Sequence, residues 1–393
     1  MNDKVYIVLI NYNGFKDTIE CIESILKSDY KNYQIIVVDN NSTDNSMNYL
    51  IYWAEGKSSG EHIKYDSELK HLNFHSVHKP VGYVVYSKDE AEQGGNKALE
   101  NKIGENSIVF IQSNYNGGFS YGNNIALRYA LSKDDFNYIW ILNNDTIIEN
   151  ESLSNMVNLI SQDNKIGMVG SKILYYYNTN LIQALCGNSE VTSWKNAGLS
   201  DHICSNYKDI DINQNMTEVN VQNRTFEMQG SLLGASMLIR KETIKDVGFF
   251  DENYFIQVEE TDFCFRVMQK SWKIFCCGNS KIYHKEGGSA KPGEIKRFLW
   301  RYRKRPSLQR FIISPCIDTR NRIYFVRKFY GNSYVFFYLL FNFSLILRQI
   351  LRILFYDENK IQRISIFARC VVDGIFNKMG KPEWFEKLFK KTS

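Results

Sequence analysis

In this 393-residue sequence, five mostly large apolar residues (YIWIL, 138–142) run directly into Asn143, Asn144, Asp145 and Thr146. A carboxylate beside carboxamides at the end of a buried strand offers oxygen ligands to a hard divalent cation, Mg2+ or Mn2+, which keeps open positions for phosphate oxygens. The same tetrad also reads as a plain turn with Asp145 capping a helix. A second cluster, Glu259, Glu260 and Asp262, opens an amphipathic run carrying Phe263, Phe265 and Val267. Acidic groups suit the positive end of a helix dipole, so Asp262 is assigned to the cap, with Arg266 pairing to it. Adjacent carboxylates also repel, which raises one pKa and produces a general base near neutral pH. Glu259 and Glu260 are therefore the candidates for proton transfer. His284, beyond a short apolar strand and before Gly287 and Gly288, is a candidate metal ligand.

The surrounding elements place these groups. VYIVLI (5–10) reads as a strand covered on both faces, ending in Asn11, Tyr12, Asn13 and Gly14. Ile19, Ile22, Ile25 and Leu26 follow at helical spacing. IIVV (35–38) is a second strand, ended by Asp39, Asn40, Asn41 and Ser42, and a helix is expected to start from a Ser42 or Thr43 cap. IVFI (108–111) and residues 138–142 repeat the pattern, with a helix expected over 122–131 between them. Alternating strands and helices imply an α/β fold with a mostly parallel sheet, whose ligands gather at the carboxyl ends of the strands. Each strand here ends in Asn or Asp. Residues 54–106 read as an insertion holding a small hairpin near 81–86, and 196–224 as a variable loop.

The composition is that of a folded chain, 44% hydrophobic with 5 prolines. The amino-terminal apolar run is too short for a secretory signal, and eight cysteines without paired spacing read as reduced thiols in a cytosolic protein. No C-x-x-C pair supports zinc. Residues 1–295 hold 27 Lys/Arg against 37 Asp/Glu, whereas residues 296–393 hold 21 against 6. A basic tail on an acidic body points to an anionic partner. Within it, residues 333–355 are expected to form one helix, apolar over 334–347 and then carrying Arg348 and Arg352. That is short of the ~20 apolar residues a membrane span needs. It fits a helix lying in the membrane interface, with a buried helix of a small bundle as the alternative.

Six segments in order, VDNNSTDNS (38–46), NGGFSYGNNIAL (116–127), LNNDT (142–146), GASMLIRKETIKDVGFFDE (234–252), EETDFCFR (259–266) and YHKEGGS (283–289), resemble glycosyltransferase family 2, and within it the bacterial rhamnosyltransferase-like branch. The resemblance spans about 4–290. It implies a GT-A domain (Rossmann-like, with a mostly parallel central sheet and flanking helices) over 1–295, followed by a basic helical region over 296–393. It also implies a dTDP- or UDP-linked nucleotide-sugar donor, with dTDP-rhamnose preferred, and Mg2+ or Mn2+. Asp39 matches the acceptor of the pyrimidine imide N–H. Tyr12 and Asn13 would line the nucleoside pocket, and Asn116, Gly118, Phe119 and Asn123 match the segment beneath the nucleotide. Asn143, Asn144 and Asp145 match the Asp-x-Asp metal motif, with Asp145 its principal ligand, Asn144 set beside the nucleotide and His284 completing the site. Glu260 aligns with the catalytic Asp, leaving Glu259 in contention, and residues 234–236 match the wall facing sugar and acceptor.

The implied reaction is an inverting transfer to a glycan or polyprenyl-linked acceptor in cell-surface polysaccharide synthesis, such as O-antigen or capsule. The expected setting is the cytoplasmic face of the membrane, reached through peripheral contact by the tail, with oligomerisation left open. The alternative is a catalytically silent nucleotide- or nucleic-acid-binding protein that kept the fold. No nucleic-acid motif accompanies the tail's charge. A sugar nucleotidyltransferase and a dinucleotide-dependent oxidoreductase both lack their glycine-rich signature after the first strand.

Overall fold

The computed structural model describes residues 3–57, 69, 77–103, 107–186, 225–285, 295–298, 301–304 and 308–385. The expected variable loop at 196–224 lies outside them. The first half alternates as read: β1 (Val5–Asn11), α1 (Phe15–Ile25), β2 (Tyr33–Asp39), α2 (Ser46–Ala54), β3 (Tyr83–Ser87), α3 (Lys88–Glu92), α4 (Lys97–Ile103), β4 (Ile108–Gln112), α5 (Gly118–Lys133) and β5 (Tyr138–Asn143). Then follow β6 (Thr146–Ile148), α6 (Ser152–Ser161), β7 (Ile166–Tyr175), β8 (Asn178–Leu185), β9 (Thr225–Met228), β10 (Ser236–Arg240), α7 (Lys241–Val247), α8 (Glu259–Gln269) and β11 (Lys273–His284).

Among the described residues, these eleven strands form one mixed sheet with the central order β3-β4-β2-β1-β5-β10-β7-β11-β6. The five strands from β3 to β5 are mutually parallel, and β10 runs antiparallel between β5 and β7. The continuous apolar runs have the predicted cause. Ile7, Leu9, Val37 and Trp140 point into one core, and Val8, Val38, Ile139 and Ile141 into the other, so neither face of the centre meets water. This α/β sheet flanked by helices is the architecture anticipated.

Three local expectations change. Residues 81–86 form no hairpin: β3 is a parallel edge strand registered on β4, from Tyr83↔Ile108 to Ser87↔Gln112. The helix after β2 begins at Ser46, with Asn45 in a left-handed conformation before it, because the Ser42 hydroxyl is engaged elsewhere. Asp44 instead takes the Ser46 N–H at 3.0 Å and its hydroxyl at 2.5 Å. Two of the cysteines, Cys186 and Cys276, form a disulfide that joins the end of β8 to β11, contrary to the all-thiol expectation.

The carboxyl-terminal region begins with a two-stranded ribbon, β12 (Ile295–Phe298) and β13 (Arg301–Lys304). Helices α9 (Leu308–Phe311), α10 (Asp318–Tyr330), α11 (Asn332–Phe341), α12 (Phe343–Tyr356) and α13 (Lys360–Ile375) follow, with a π-helical stretch (Ile312–Ile317) around Pro315. The single helix expected over 333–355 is broken at Asn342, where α11 and α12 meet at 55°. No single helix among the described residues is long and apolar enough to cross a membrane. The helical layer shares its cores with the body: Phe255 packs with Phe311, Ile317 and Phe367, and Tyr254 and Val258 pack with Ile323, Phe325 and Tyr338.

Candidate active site

The sheet register brings polar residues from four strands to one edge. Asn11 lies opposite Asp39, Asp39 opposite Gln112, and Asn143 opposite Ile10, the residue before Asn11. Asp39 is buried, and four donors hold its carboxylate. Oδ1 accepts from Asn11 Nδ2 at 2.7 Å and the Ser42 hydroxyl at 2.5 Å; Oδ2 accepts from the Ser42 N–H at 3.0 Å and Gln112 Nε2 at 2.9 Å. A carboxylate has about four lone-pair sites, so these donors fill it. A base imide would have to displace one of them; Gln112, unlike the buried Asn11, is a half-buried side chain, and its Nε2 also donates to the Ser113 carbonyl at 2.9 Å.

The network runs on across the strand ends. Asn11 Oδ1 accepts from the Thr18 hydroxyl at 2.8 Å, and Thr18 Oγ1 accepts from Asn144 Nδ2 at 2.9 Å. Asn144 thus turns toward α1, and Asp39 is linked through three side chains to the Asn143–Asp145 turn. Tyr12 is 36% exposed at the rim. Asn13 joins two loops: its N–H donates to Ser42 Oγ at 2.9 Å, and its side-chain oxygen accepts from the Thr43 N–H at 2.7 Å.

At the amino end of α5, Asn116 Oδ1 accepts from the Gly118 N–H at 3.0 Å and from Asn40 Nδ2 at 3.2 Å. Gly118 has φ +86°, and a Cβ there would lie 1.7 Å from the Phe255 carbonyl oxygen. Glycine is required here because the α5 start packs directly on the chain leading to α8. The Phe119 N–H donates to that same carbonyl at 3.0 Å. Asn123 is fully buried and donates to the Phe119 carbonyl at 2.9 Å, bracing α5.

Asp145 and His284 do meet. Asp145 Oδ1 lies 3.2 Å from His284 Nε2, and the other ring nitrogen, Nδ1, lies 2.9 Å from Gln183 Oε1 on β8. The β6–β11 pairing causes this approach: Thr146 registers on His284, and the Lys285 N–H donates to the Asp145 carbonyl at 3.0 Å. Asn143 Nδ2 stands 3.4 Å from the same imidazole nitrogen, so that amide must turn over to offer its oxygen. With metal–ligand distances near 2.1 Å, neighbouring vertices of an octahedron are about 3 Å apart. The Asp145 and His284 atoms match two such vertices, and Gln183 orients the imidazole as partners of metal-bound histidines do. No group of three or more His, Cys, Asp or Glu converges among the described residues. A cation here would draw its remaining ligands from phosphate oxygens and water, which fits Mg2+ or Mn2+.

Glu259 and Glu260 open α8. Two non-glycine residues at positive φ, Gln257 (75°) and Val258 (76°), precede them. For a β-branched valine this is a strained conformation. Asn321 of α10 clamps it, donating from Nδ2 to the Ile256 carbonyl at 2.9 Å and the Gln257 carbonyl at 2.7 Å. Glu259 is buried, and among the described residues its Oε2 has no hydrogen-bond partner; burial and then the Glu260 charge push its pKa well above the usual range. Glu260 is raised to about 7, chiefly by burial and further by the Asp318 carboxylate, while its own N–H and Arg322 oppose the shift. Glu259 is therefore the neutral acid at neutral pH, and Glu260 the group able to lose and regain a proton. Asp262 makes no side-chain cap; it is buried against Arg266 Nε at 2.6 Å and Lys328 Nζ of α10 at 2.6 Å. The expected Arg266 pairing is present, and the cap is replaced by a tie to the carboxyl-terminal layer.

The segment before β10 joins the two halves. The Ala235 carbonyl accepts from the Asn143 N–H at 3.1 Å, the Leu232 N–H reaches Cys264 Sγ on α8 at 3.4 Å, and Gly234 faces the Phe119 ring. The sequence over 6–68 matches the family described as Glycosyl transferase family 2, and over 75–303 the one described as Glycosyltransferase like family 2. The chain belongs to glycosyltransferase family 2. With the mixed sheet, this membership gives the fold as GT-A-like. Among curated relatives, the low-salt glycan biosynthesis hexosyltransferase Agl10 of Haloferax volcanii is 23% identical over 329 residues, covering 82% of this chain and 92% of the relative. Glycosyltransferase GlyA of Streptococcus pneumoniae is 26% identical over 159 residues, 38% of this chain and 22% of the relative. Among solved structures, the mannosyltransferase PcManGT of Pyrobaculum calidifontis, in complex with GDP-Man and Mn2+, aligns with a TM-score of 0.48 at 10% identity over 96% of this chain and 88% of its own. S. aureus TarS aligns at 0.43 and 12% identity over 95% of this chain and 43% of its own.

The sequence reading assigned no site role to Asn11, Thr18, Ser42 or Gln112, although Asn11 and Gln112 sit at strand ends in register with Asp39. Nothing local in the sequence marks Gln183 or Asn321, whose partners lie 101 and about 65 residues away.

Proposed function

We propose that this glycosyltransferase is inverting and metal-dependent, moving a sugar from a dTDP- or UDP-linked donor to a hydroxyl of a glycan or lipid-linked glycan. dTDP-rhamnose is the first donor to test. The observation that carries the reading is the approach of Asp145 to His284 at a strand end, with Glu260, whose pKa burial raises to about 7, at the start of α8.

The base of the nucleotide would sit against Asp39, its imide N–H replacing the Gln112 amide, with the Tyr12 ring at the rim. Asp145 and His284 would hold the cation, which when bound supplies Lewis-acid stabilisation to the departing diphosphate. Glu260 accepts the proton of the acceptor hydroxyl as that oxygen bonds to the anomeric carbon. The carbon–oxygen bond to phosphate breaks, its electron pair leaves with the nucleoside diphosphate, and the configuration inverts. Glu259, kept neutral by burial, leaves Glu260 as the charged member of the pair and can donate a hydrogen bond nearby.

The test is a donor-hydrolysis and transfer screen across dTDP- and UDP-sugars with and without Mn2+. Nucleotide release from at least one donor, dependent on the cation and lost in Asp145→Ala, is expected. Release that persists unchanged in Asp145→Ala or in chelator sinks the metal assignment. A transferred product that retains the donor configuration sinks the single displacement.

A further inference from the structure

Helices α11 and α12 present an apolar face that nothing in the described protein covers. From Tyr334 to Phe355, eleven large apolar side chains are exposed, among them Phe336 at 65%, Leu340 at 58% and Phe343 at 62%. Soluble monomers rarely display so continuous a patch. Residues 332–347 contain no charge at all. Helix α11 rests on the body through Val335 and Tyr338, with Leu339 partly buried beside them, and Tyr334, Phe336, Phe337, Leu340 and Phe341 are exposed around the rest of its circumference. A helix apolar on every side needs an apolar medium around it, whereas a protein partner covers one side. Helix α12 divides its surface differently: Ile346, Ile350 and Ile353 pack inward, and Phe343, Leu347, Leu351 and Leu354 form a second stripe facing out. Arg348 and Arg352, one turn apart and exposed, run beside that outer stripe. They are the only charged residues between 332 and 356.

We propose that α11 and α12 insert side-on into the outer few ångströms of a bilayer bearing anionic headgroups, with Arg348 and Arg352 at headgroup level. An apolar face flanked by arginines is the pattern of a helix lying in the interface. The 55° break at Asn342 shortens each helix, so neither spans. The docked layer also adjoins the proposed base. The Asp318–Arg322 pair of α10, 2.8 Å apart, influences Glu260 on one side and Tyr338, on the inner surface of α11, on the other. An acceptor carried on a membrane lipid is thereby brought to the layer next to the proposed base; this last step rests on the transfer reaction proposed above, and the docking itself does not.

The experiment is co-sedimentation of the full chain with phosphatidylcholine vesicles, with and without phosphatidylglycerol. Wild type is expected to partition onto the anionic vesicles, and Phe336→Glu/Phe343→Glu to lose at least tenfold in partition. Arg348→Glu/Arg352→Glu is expected to weaken only the anionic preference, by roughly fivefold per arginine. Acceptor-free nucleotide release by both variants should equal wild type, which shows that they are folded. Wild type remaining in the supernatant with both vesicles overturns the proposal. A lipid-free dimer that Phe336→Glu/Phe343→Glu converts to monomer assigns the face to a second copy and also overturns it. If no donor is turned over but vesicle binding follows the variants, the transfer reading fails and the docking stands.

Discussion

The strand-end half of the site and the α8 half handle acidic groups in opposite ways. Asp39 has every acceptor site filled by Asn11, Ser42 and Gln112, on backbone of ordinary conformation at the end of β2. Among the described residues, Glu259 keeps one oxygen unbonded, beside Glu260 and after two residues at positive φ. A fully hydrogen-bonded carboxylate is held rigid, which suits holding a ligand. A buried, under-bonded one is pushed toward neutrality, which suits exchanging a proton. The strained half is held by elements outside the sheet: Phe119 from α5, and Asn321 and Lys328 from α10. The carboxyl-terminal layer is thus part of what shapes the proposed base, in addition to any docking role.

The largest expected effect breaks the α8 half alone. Glu260→Gln should lower kcat for transfer by about a thousandfold while nucleotide affinity in titration calorimetry stays near wild type; a comparable loss of affinity would show that the two halves are not separable. Next, Asp145→Ala should reduce turnover by about a hundredfold and remove the cation dependence of nucleotide binding, read by titrating UDP or dTDP with and without Mn2+.

Asn321→Ala should lower kcat by roughly tenfold with little change in KM, because the clamped carbonyls of Ile256 and Gln257 are released and the base shifts. A matched rise in KM instead would assign Asn321 to substrate binding. The pH profile sharpens the contrast further. Glu260, raised to about 7, acts as base only when ionised, so kcat/KM should climb through that pH and level off above it. Asp318→Asn removes a charge that raises the Glu260 pKa and frees Arg322, which lowers it, so the rising limb should move to lower pH. Smallest of all, Thr18→Val cuts the chain from Asp39 to Asn144 and should weaken nucleotide binding only a few-fold, about 1 kcal/mol for one lost hydrogen bond.

Much of the sheet was legible because its centre is buried on both faces, which forces uninterrupted apolar runs such as 5–10 and 138–142. The edge was not: β3 carries exposed Val85, and its partner β4 begins some twenty residues on, so local pattern suggested a hairpin where a parallel pairing exists. The α11–α12 break was hidden for a similar reason. Residues 333–355 hold no proline or glycine, and the helix stops at Asn342 where inward packing passes from Val335 and Tyr338 to Ile346 and Ile353. Within the site, Asp145, His284 and Glu260 stood out by type and order, whereas the full burial of Asn123 depends on what packs over α5 and is not written in its neighbours.

By itself the chain's pattern determined the central strands β1, β2, β4 and β5, that their ends carry Asn, Asp or Gln, and which family's motifs the chain resembles. These follow from local hydrophobic period and residue type. Only the tertiary structure decided that Asp39 is saturated, that Gln183 aims His284 at Asp145, that Cys186 bonds Cys276, and that Asn321 clamps the backbone before Glu260. Each of those contacts joins residues far apart in sequence, and their approach is set by sheet register and helix packing, which no short window of residues encodes.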